Sequence, residues 1–257
     1  LINMRISQLK KRLKKVEKHR RVQRKGRKNE FVVALVGYTN AGKSTLLNAL
    51  ANEELFVEDK LFATLDATTR TVKLDENHKV LLTDTVGFIK KLPHNLVASF
   101  KATLEEVTEA DLLFHVVDVS HPRALQHIQT VEEVLDEIGA GEKPVVMVFN
   151  KVDQIEDLTE IFELQRKYPR NLVVSALKKE GLDELKNYLK DLVTEDEIKF
   201  EIELPYGNGK AINYLYEHGN VLNTDYNDRN VLVEASLDKK YFKEFNELMP
   251  IDNRISQ

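Results

Sequence analysis

At 257 residues, 42% hydrophobic and 31% charged, the chain can bury a sizeable core, and no run approaches the roughly 20 apolar residues of a spanning helix. It has no cysteine, which excludes disulfides, thiolate metal sites and cysteine nucleophiles and is compatible with a reducing cytoplasm. The net charge of −4 hides an asymmetry: residues 1–30 hold 13 Lys and Arg against Glu17 and Glu30, a balance of +11, leaving −15 on the rest. A basic arm on an acidic body suggests an anionic partner, with RNA and membrane lipid both open.

Ile2, Ile6, Leu9, Leu13 and Val16 recur in steps of four and three, a heptad seam on an otherwise basic helix. Such a stripe needs something to pack on, which predicts a partner helix upstream or in another molecule. From Lys18 to Lys28 no apolar face remains, so residues 1–30 read as a basic helix and linker. There is no apolar h-region for a secretory signal.

Residues 31–194 alternate strand and helix patterns, which predicts an α/β domain with a mostly parallel sheet and helices on both faces. Phe31–Val36 is the first strand and Lys43–Ala51 the first helix. Thr71–Leu74 and Val80–Thr83 pair around Asp75–His78. Leu112–Val117 and Val145–Phe149 are buried strands separated by a helix near Arg123–Ile138. A helix near Leu158–Lys167, a strand at Leu172–Val174 and a helix over Gly181–Leu192 complete this domain. Residues 195–257 read as β-α-β-β-α, a small α+β domain. Its strands are Lys199–Leu204, Asn220–Tyr226 and Asn230–Ser236; its helices are Gly209–His218 and Leu237–Leu248. Its tyrosines (Tyr206, Tyr214, Tyr216, Tyr226 and Tyr241) suit core and edge positions better than stacking platforms for RNA bases.

Between the first strand and the first helix stands Gly37-Tyr38-Thr39-Asn40-Ala41-Gly42-Lys43-Ser44, followed by Thr45. Strand, Gly-x-x-x-x-Gly-Lys-Ser, helix is the context of a P-loop. Its glycines let the backbone wrap a phosphate chain, with N–H groups and the helix's positive end facing the anion. Lys43 is expected to reach the outer phosphates, and the Ser44 hydroxyl to ligate Mg²⁺. Asp84-Thr85-Val86-Gly87 ends the strand next to the first. Asp84 is expected to hold Mg²⁺, usually through water, and the Gly87 N–H to touch the γ-phosphate.

Asn150-Lys151-Val152-Asp153 follows the strand Val145–Phe149, at the edge where open α/β sheets bind ligands. The Asp153 carboxylate can accept from guanine N1–H and N2–H₂ together, a donor pair that adenine lacks. Asn150 can meet the N7 side, the Lys151 stem can cover a ring face, and Ser175-Ala176-Leu177 can offer an N–H to guanine O6. In the loop from Leu61 to Arg70, spacing alone leaves Thr64, Thr68 and Thr69 open as the threonine that completes the Mg²⁺ shell.

Taken together, GYTNAGKST (37–45), LFATLD (61–66), DTVGFI (84–89) and NKVD (150–153) resemble the HflX family of translation-factor-class GTPases, related to the Obg group. The likeness is strong over residues 1 to about 194 and looser beyond. It implies GTP hydrolysis with Mg²⁺ and Thr64 as the metal-sensing threonine, set within Phe62-Ala63-Thr64-Leu65-Asp66. Ser44 and Asp84 then join Thr64 at the metal, and Lys43, Thr64 and Gly87 act at the γ-phosphate. The resemblance further implies a cytoplasmic monomer that works on the ribosome, chiefly the large subunit and its rRNA, and a basic helix that continues an N-terminal domain upstream. Ala67 stands where the family carries proline, which bears on loop stiffness. Related GTPases with asparagine at position 40 bind K⁺ beside the phosphates, so K⁺ is a further candidate cofactor.

Ras-like enzymes place glutamine directly after the Asp-x-x-Gly glycine to orient the attacking water. Here it is Phe88, which predicts slow intrinsic hydrolysis that a partner accelerates. Two rivals stand beside this reading: a nucleotide-gated scaffold with negligible hydrolysis, and a peripheral membrane GTPase using the basic helix. Against the second, the stripe is narrow and aliphatic, with no Trp or Phe before Phe31.

Overall fold

The β-branched run Val32–Val36 forms β1, whose residues from Val33 onward are fully buried. A strand covered on both faces can be apolar throughout, and β1 lies at the centre of a six-stranded sheet. The computed structural model describes residues 30–51, 67–88, 104–157 and 159–249. The basic helix expected before residue 30, the loop carrying Phe62, Ala63, Thr64, Leu65 and Asp66, and the expected helix start at Leu158 lie outside the described residues.

The helix α1 (Lys43–Ala51) follows β1. Then come β2 (Thr68–Lys73) and β3 (Lys79–Asp84). After β4 (Leu112–Asp118) the chain forms α2 (Ala124–Glu137) and β5 (Val145–Asn150). The helix α3 (Thr159–Lys167), β6 (Asn171–Val173) and α4 (Leu182–Thr194) complete the series. The sheet order is β2-β3-β1-β4-β5-β6, with β2 antiparallel to β3 and every other pair parallel.

The β2 strand begins at Thr68, three residues earlier than the apolar pattern suggests. Its sequence, Thr-Thr-Arg-Thr-Val-Lys, buries only Val72, so ladder pairing with β3 rather than hydrophobic alternation defines it. Residues 104–109 are also helical, a segment that the pattern did not reveal. Leu104 and Val107 bury there with Ala34, Val36, Phe88, Leu113 and Val131. In α1, Leu46, Leu47 and Leu50 are buried, each worth about 1.5–3 kcal/mol of transfer free energy.

The chain divides into two units, Leu1–Asn187 and Tyr188–Gln257, and the division falls inside α4. The second unit contains β7 (Glu197–Pro205), α5 (Gly209–His218), β8 (Gly219–Tyr226), β9 (Asn230–Asp238) and α6 (Lys239–Glu247). Its sheet is antiparallel in the order β7-β9-β8. Ile202 and Leu204 of β7 pack with Tyr214 and Leu215 of α5 and with Phe242 and Phe245 of α6. The last helix starts at Lys239 rather than Leu237, because Leu237 is a fully buried strand residue. The Asp238 side chain then caps α6 by accepting from the Lys240 N–H at 2.9 Å. Tyr214 is buried and donates to Glu244 at 3.0 Å, whereas Tyr206, Tyr216 and Tyr226 are exposed.

Candidate nucleotide-binding site

The loop between β1 and α1 has a backbone that only glycine tolerates at its two ends. Gly37 has φ +154°, and a Cβ there would meet the Val116 carbonyl oxygen at 2.3 Å. Gly42 has φ +93°, and its Cβ would meet Asn150 Nδ2 at 2.3 Å. Between them Asn40 is also left-handed, at φ +60°. Alternating backbone hands of this kind turn successive N–H groups toward one concavity, a cradle for anions. The loop is clamped to the segment after β3: the Thr39 N–H donates to the Phe88 carbonyl at 2.9 Å, and the Phe88 N–H to the Gly37 carbonyl at 3.1 Å.

Lys43 opens α1, and its Nζ curls back to donate to the carbonyls of Gly37 and Tyr38, each at 3.1 Å. It is only 6% exposed. Burial pushes its pKa down to about 8, against the pull of the Asp84 carboxylate, which favours the charged form. One residue on, the Ser44 hydroxyl donates to Asp84 Oδ2 at 2.5 Å. A hydroxyl and a carboxylate oxygen that close together match the hard oxygen donors of a magnesium site completed by phosphate and water. Among the described residues no cluster of three or more His, Cys, Asp or Glu could hold a metal. The next side chain, Thr85, ties the strand end in place by donating to the Leu35 carbonyl at 2.6 Å.

The expected base end assembles at the C-terminal edges of β5 and β6. Asn150 Nδ2 donates to the Ala41 carbonyl at 2.9 Å, and Asn150 Oδ1 accepts from the Ala176 N–H at 3.0 Å. Its amide therefore bridges the phosphate loop and the Ser175-Ala176-Leu177 loop. The Asp153 carboxylate is held by the Ser175 hydroxyl at 2.6 Å, and Ser175 Oγ in turn accepts from the Lys178 N–H at 3.1 Å. Lys151 is left-handed, at φ +66°, and its ammonium pairs with Asp118 at 2.8 Å. Asp118 also accepts from the Ser120 N–H and hydroxyl, at 3.0 and 2.6 Å. Sequence reading missed Asp118, although an acidic residue ending an apolar strand beside β5 was the available signal. Ala176 is buried and Leu177 is 72% exposed.

A cavity of about 210 Å³ lies beside the phosphate loop, walled by Tyr38 to Ala41, the end of β4 and the start of α2. His115, fully buried in this wall, has its pKa lowered to about 3 by burial first and by the Lys43 charge second. At neutral pH it is uncharged. His127 of α2 stacks on Tyr38 at 3.8 Å with 1° between the rings. Its pKa is also lowered, by partial burial and then by His121 and Arg123, against Asp118.

Of the three candidate threonines, Thr68 and Thr69 belong to β2, and the Thr69 hydroxyl hydrogen-bonds that of Thr83 at 2.9 Å. Phe88 is 2% exposed and packs among Ala34, Val36, Leu113 and Val131. Its ring faces the core rather than the nucleotide side of Gly87.

Residues 32–151 match the family described as 50S ribosome-binding GTPase. The chain is 46% identical over 239 residues to the GTPase HflX of Caldanaerobacter subterraneus subsp. tengcongensis, covering 92% of this chain and 54% of that protein. Across other proteins of the same name the shared part is similar, so the chain spans about half the length of the curated relatives it matches. Among solved structures, a GTP-binding protein from the hyperthermophilic archaeon Sulfolobus solfataricus in complex with GDP superposes with a TM-score of 0.54. It is 29% identical and covers 72% of this chain and 58% of that one. Era in complex with MgGDPNP and nucleotides 1506–1542 of 16S ribosomal RNA gives a TM-score of 0.52 at 28% identity, covering 63% and 56%. The first unit thus has the fold of a P-loop GTPase G domain, and an antiparallel sheet is added at the C-terminus.

Proposed function

The chain belongs to the HflX family of GTPases, and on that premise we propose that it binds GTP with Mg²⁺ and hydrolyses it to GDP and phosphate. The observation that carries this reading is the Asn150 bridge, which draws the phosphate loop and the guanine-reading loop to one edge of one sheet. Asp153, already oriented by Ser175, would accept from the guanine N1–H and N2–H₂. Lys43 would leave its loop carbonyls for the β- and γ-phosphates, and the Gly87 N–H would meet the γ-phosphate. Ser44 and Asp84, with Thr64, would hold Mg²⁺. Thr64 is given the sensing role by the resemblance to the HflX family, and the pairing of the Thr69 hydroxyl with Thr83 makes Thr69 the weaker candidate. The metal, when bound, neutralises charge on the β- and γ-phosphate oxygens.

Hydrolysis by this chain alone is slow, because the position that holds glutamine in Ras-like enzymes carries a core phenylalanine. The ribosome, chiefly its large subunit, is the proposed partner that raises the rate. The family description, 50S ribosome-binding GTPase, supports the large subunit. The Era neighbour bound to 16S ribosomal RNA supports a ribosomal RNA partner in general, and the basic segment 1–30 suits rRNA. A group supplied in trans can be worth on the order of 10³–10⁵ in rate. Asn40, exposed in its left-handed turn, is proposed to help bind K⁺ beside the phosphates, with hydrolysis faster in K⁺ than in Na⁺ buffers. Equal rates in the two buffers would remove that assignment.

The test is GTP and ATP hydrolysis by this chain, alone and with purified large ribosomal subunits. Guanine-selective turnover that rises with added subunits is expected. No guanine binding would overturn the whole reading. Guanine binding with neither intrinsic nor stimulated turnover would replace it with a nucleotide-gated scaffold.

A further inference from the structure

Phe88 leaves a gap in the hydrolytic machinery: the attacking water needs an oriented polar partner near the γ-phosphate. Thr39, in the middle of the phosphate loop, is only 8% exposed, and its hydroxyl has no hydrogen-bond partner among the described residues. A buried hydroxyl is normally satisfied, because leaving one unpaired opposes folding. An orphan inside a binding loop therefore points to a partner that arrives with the ligand.

The position of Thr39 fits that role. A Cβ placed on Gly87 would lie 2.8 Å from Thr39 Cα, 3.2 Å from Thr39 Cβ and 3.1 Å from Lys43 Nζ. The base of the Thr39 side chain, the Gly87 backbone and the Lys43 ammonium therefore share one small volume, where the terminal phosphate is expected. Thr39 is also held there. Its N–H donates to the Phe88 carbonyl, and its neighbours Tyr38 and Phe88 form a β-bridge. The loop that removes the Phe88 ring to the core thus presses Thr39 against the same glycine.

We infer that the Thr39 hydroxyl is the water-positioning group of this GTPase, a role that rests on the GTP reading proposed above. The hydroxyl oxygen accepts a hydrogen bond from the attacking water and aligns it with the γ-phosphorus. The water oxygen bonds to phosphorus as the bond from phosphorus to the β–γ bridging oxygen breaks. GDP leaves with that electron pair, and the water's proton ends on the released phosphate. Thr39 gains and loses nothing. A single neutral hydroxyl is a weaker orienter than a glutamine amide, which fits slow turnover without a partner.

The experiment is single-turnover hydrolysis of GTP with Mg²⁺ by this chain and by its T39V and T39S variants, with GTP and GDP affinities and melting temperature measured on each. T39V keeps the shape and removes only the oxygen, so it is expected to melt at or above the wild-type temperature and to bind both nucleotides within about threefold. Its rate is expected to fall by on the order of 10²-fold, the size of losing one aligned polar group at a transition state, while T39S stays within about threefold of wild type. A merely structural hydroxyl predicts an unchanged T39V rate, and that result would overturn the inference. So would T39S falling as far as T39V, or T39V losing affinity and rate together. Absence of turnover in the wild-type chain would instead strike the GTP reading itself.

Discussion

Asn150 and Ala41 stand 109 residues apart in sequence, yet the asparagine amide donates to the alanine carbonyl at 2.9 Å. The same amide accepts from the Ala176 N–H, so one buried side chain pins the phosphate loop and the loop after β6. Its role precedes nucleotide binding. Truncation in Asn150→Ala would orphan a buried carbonyl and a buried N–H together. We expect the nucleotide-free protein to lose about 2–4 kcal/mol in chemical denaturation, beyond its loss of guanine affinity. A variant as stable as wild type that merely bound guanine poorly would refute the bridging role.

Asp153 is the residue proposed to carry the base selectivity, and Ser175 fixes its carboxylate at 2.6 Å. Changing Asp153 to Asn keeps the shape but swaps one acceptor for a donor. That suits xanthine, which carries a carbonyl where guanine has its amino group. GTP affinity is expected to fall by on the order of 10²-fold, the cost of a lost charge-assisted pair, with XTP affinity rising. Competition titrations with both nucleotides read the exchange. Undiminished GTP affinity in the variant would place guanine recognition elsewhere.

Phe88 occupies the position at which Ras-like enzymes keep glutamine, but its side chain lies among Val36, Leu113 and Val131. Installing Phe88→Gln would therefore not restore a water-orienting amide. It would bury an amide in an apolar cluster and leave a cavity, at about 3–5 kcal/mol. The expected outcome is a markedly lower melting temperature with no gain in GTP turnover. Faster turnover would show that residue 88 can swing to the nucleotide.

Much of the site was readable because its chemistry sits in contiguous strings. Gly37 to Ser44 is one turn, and Asp84 and Asn150 each end a strand whose apolar run announces it. Several relationships have no local signature. Phenylalanine at position 88 tells what cannot orient water, but only tertiary packing shows its ring in the core. The Lys151–Asp118 pair and the second bond of Asn150 join distant strands through the sheet order, which no spacing encodes. The start of β2 at Thr68 was missed because Thr68 to Lys73 is polar, and ladder hydrogen bonds rather than burial make it a strand. For the same reason, spacing alone could not choose among the three threonines.

Lys43 gives the site a pH dependence whose sign can be worked out. In the free protein burial lowers its pKa from 10.5 to about 8. Between those values the unfolded chain binds more protons than the folded one, so the stability of the free protein rises with pH across this window. If Lys43 meets the nucleotide as proposed, binding reverses the local balance, because phosphate oxygens favour the charged ammonium and raise its pKa. Above about pH 8, binding must therefore take up a proton, and GDP affinity should fall by up to tenfold per pH unit. Below pH 8 it should be flat. Calorimetric titrations at pH 7 to 9 in buffers of different ionisation enthalpy measure both the slope and the proton uptake. Lys43→Arg is the control, since a guanidinium stays charged throughout. Ionisation of the guanine itself is common to both proteins and cancels in the comparison. If the arginine variant, weakened though its binding will be, shows the same slope as wild type, Lys43 is not the group that titrates. A wild-type slope that the arginine variant lacks would identify a lysine held partly deprotonated by its own loop until phosphate arrives.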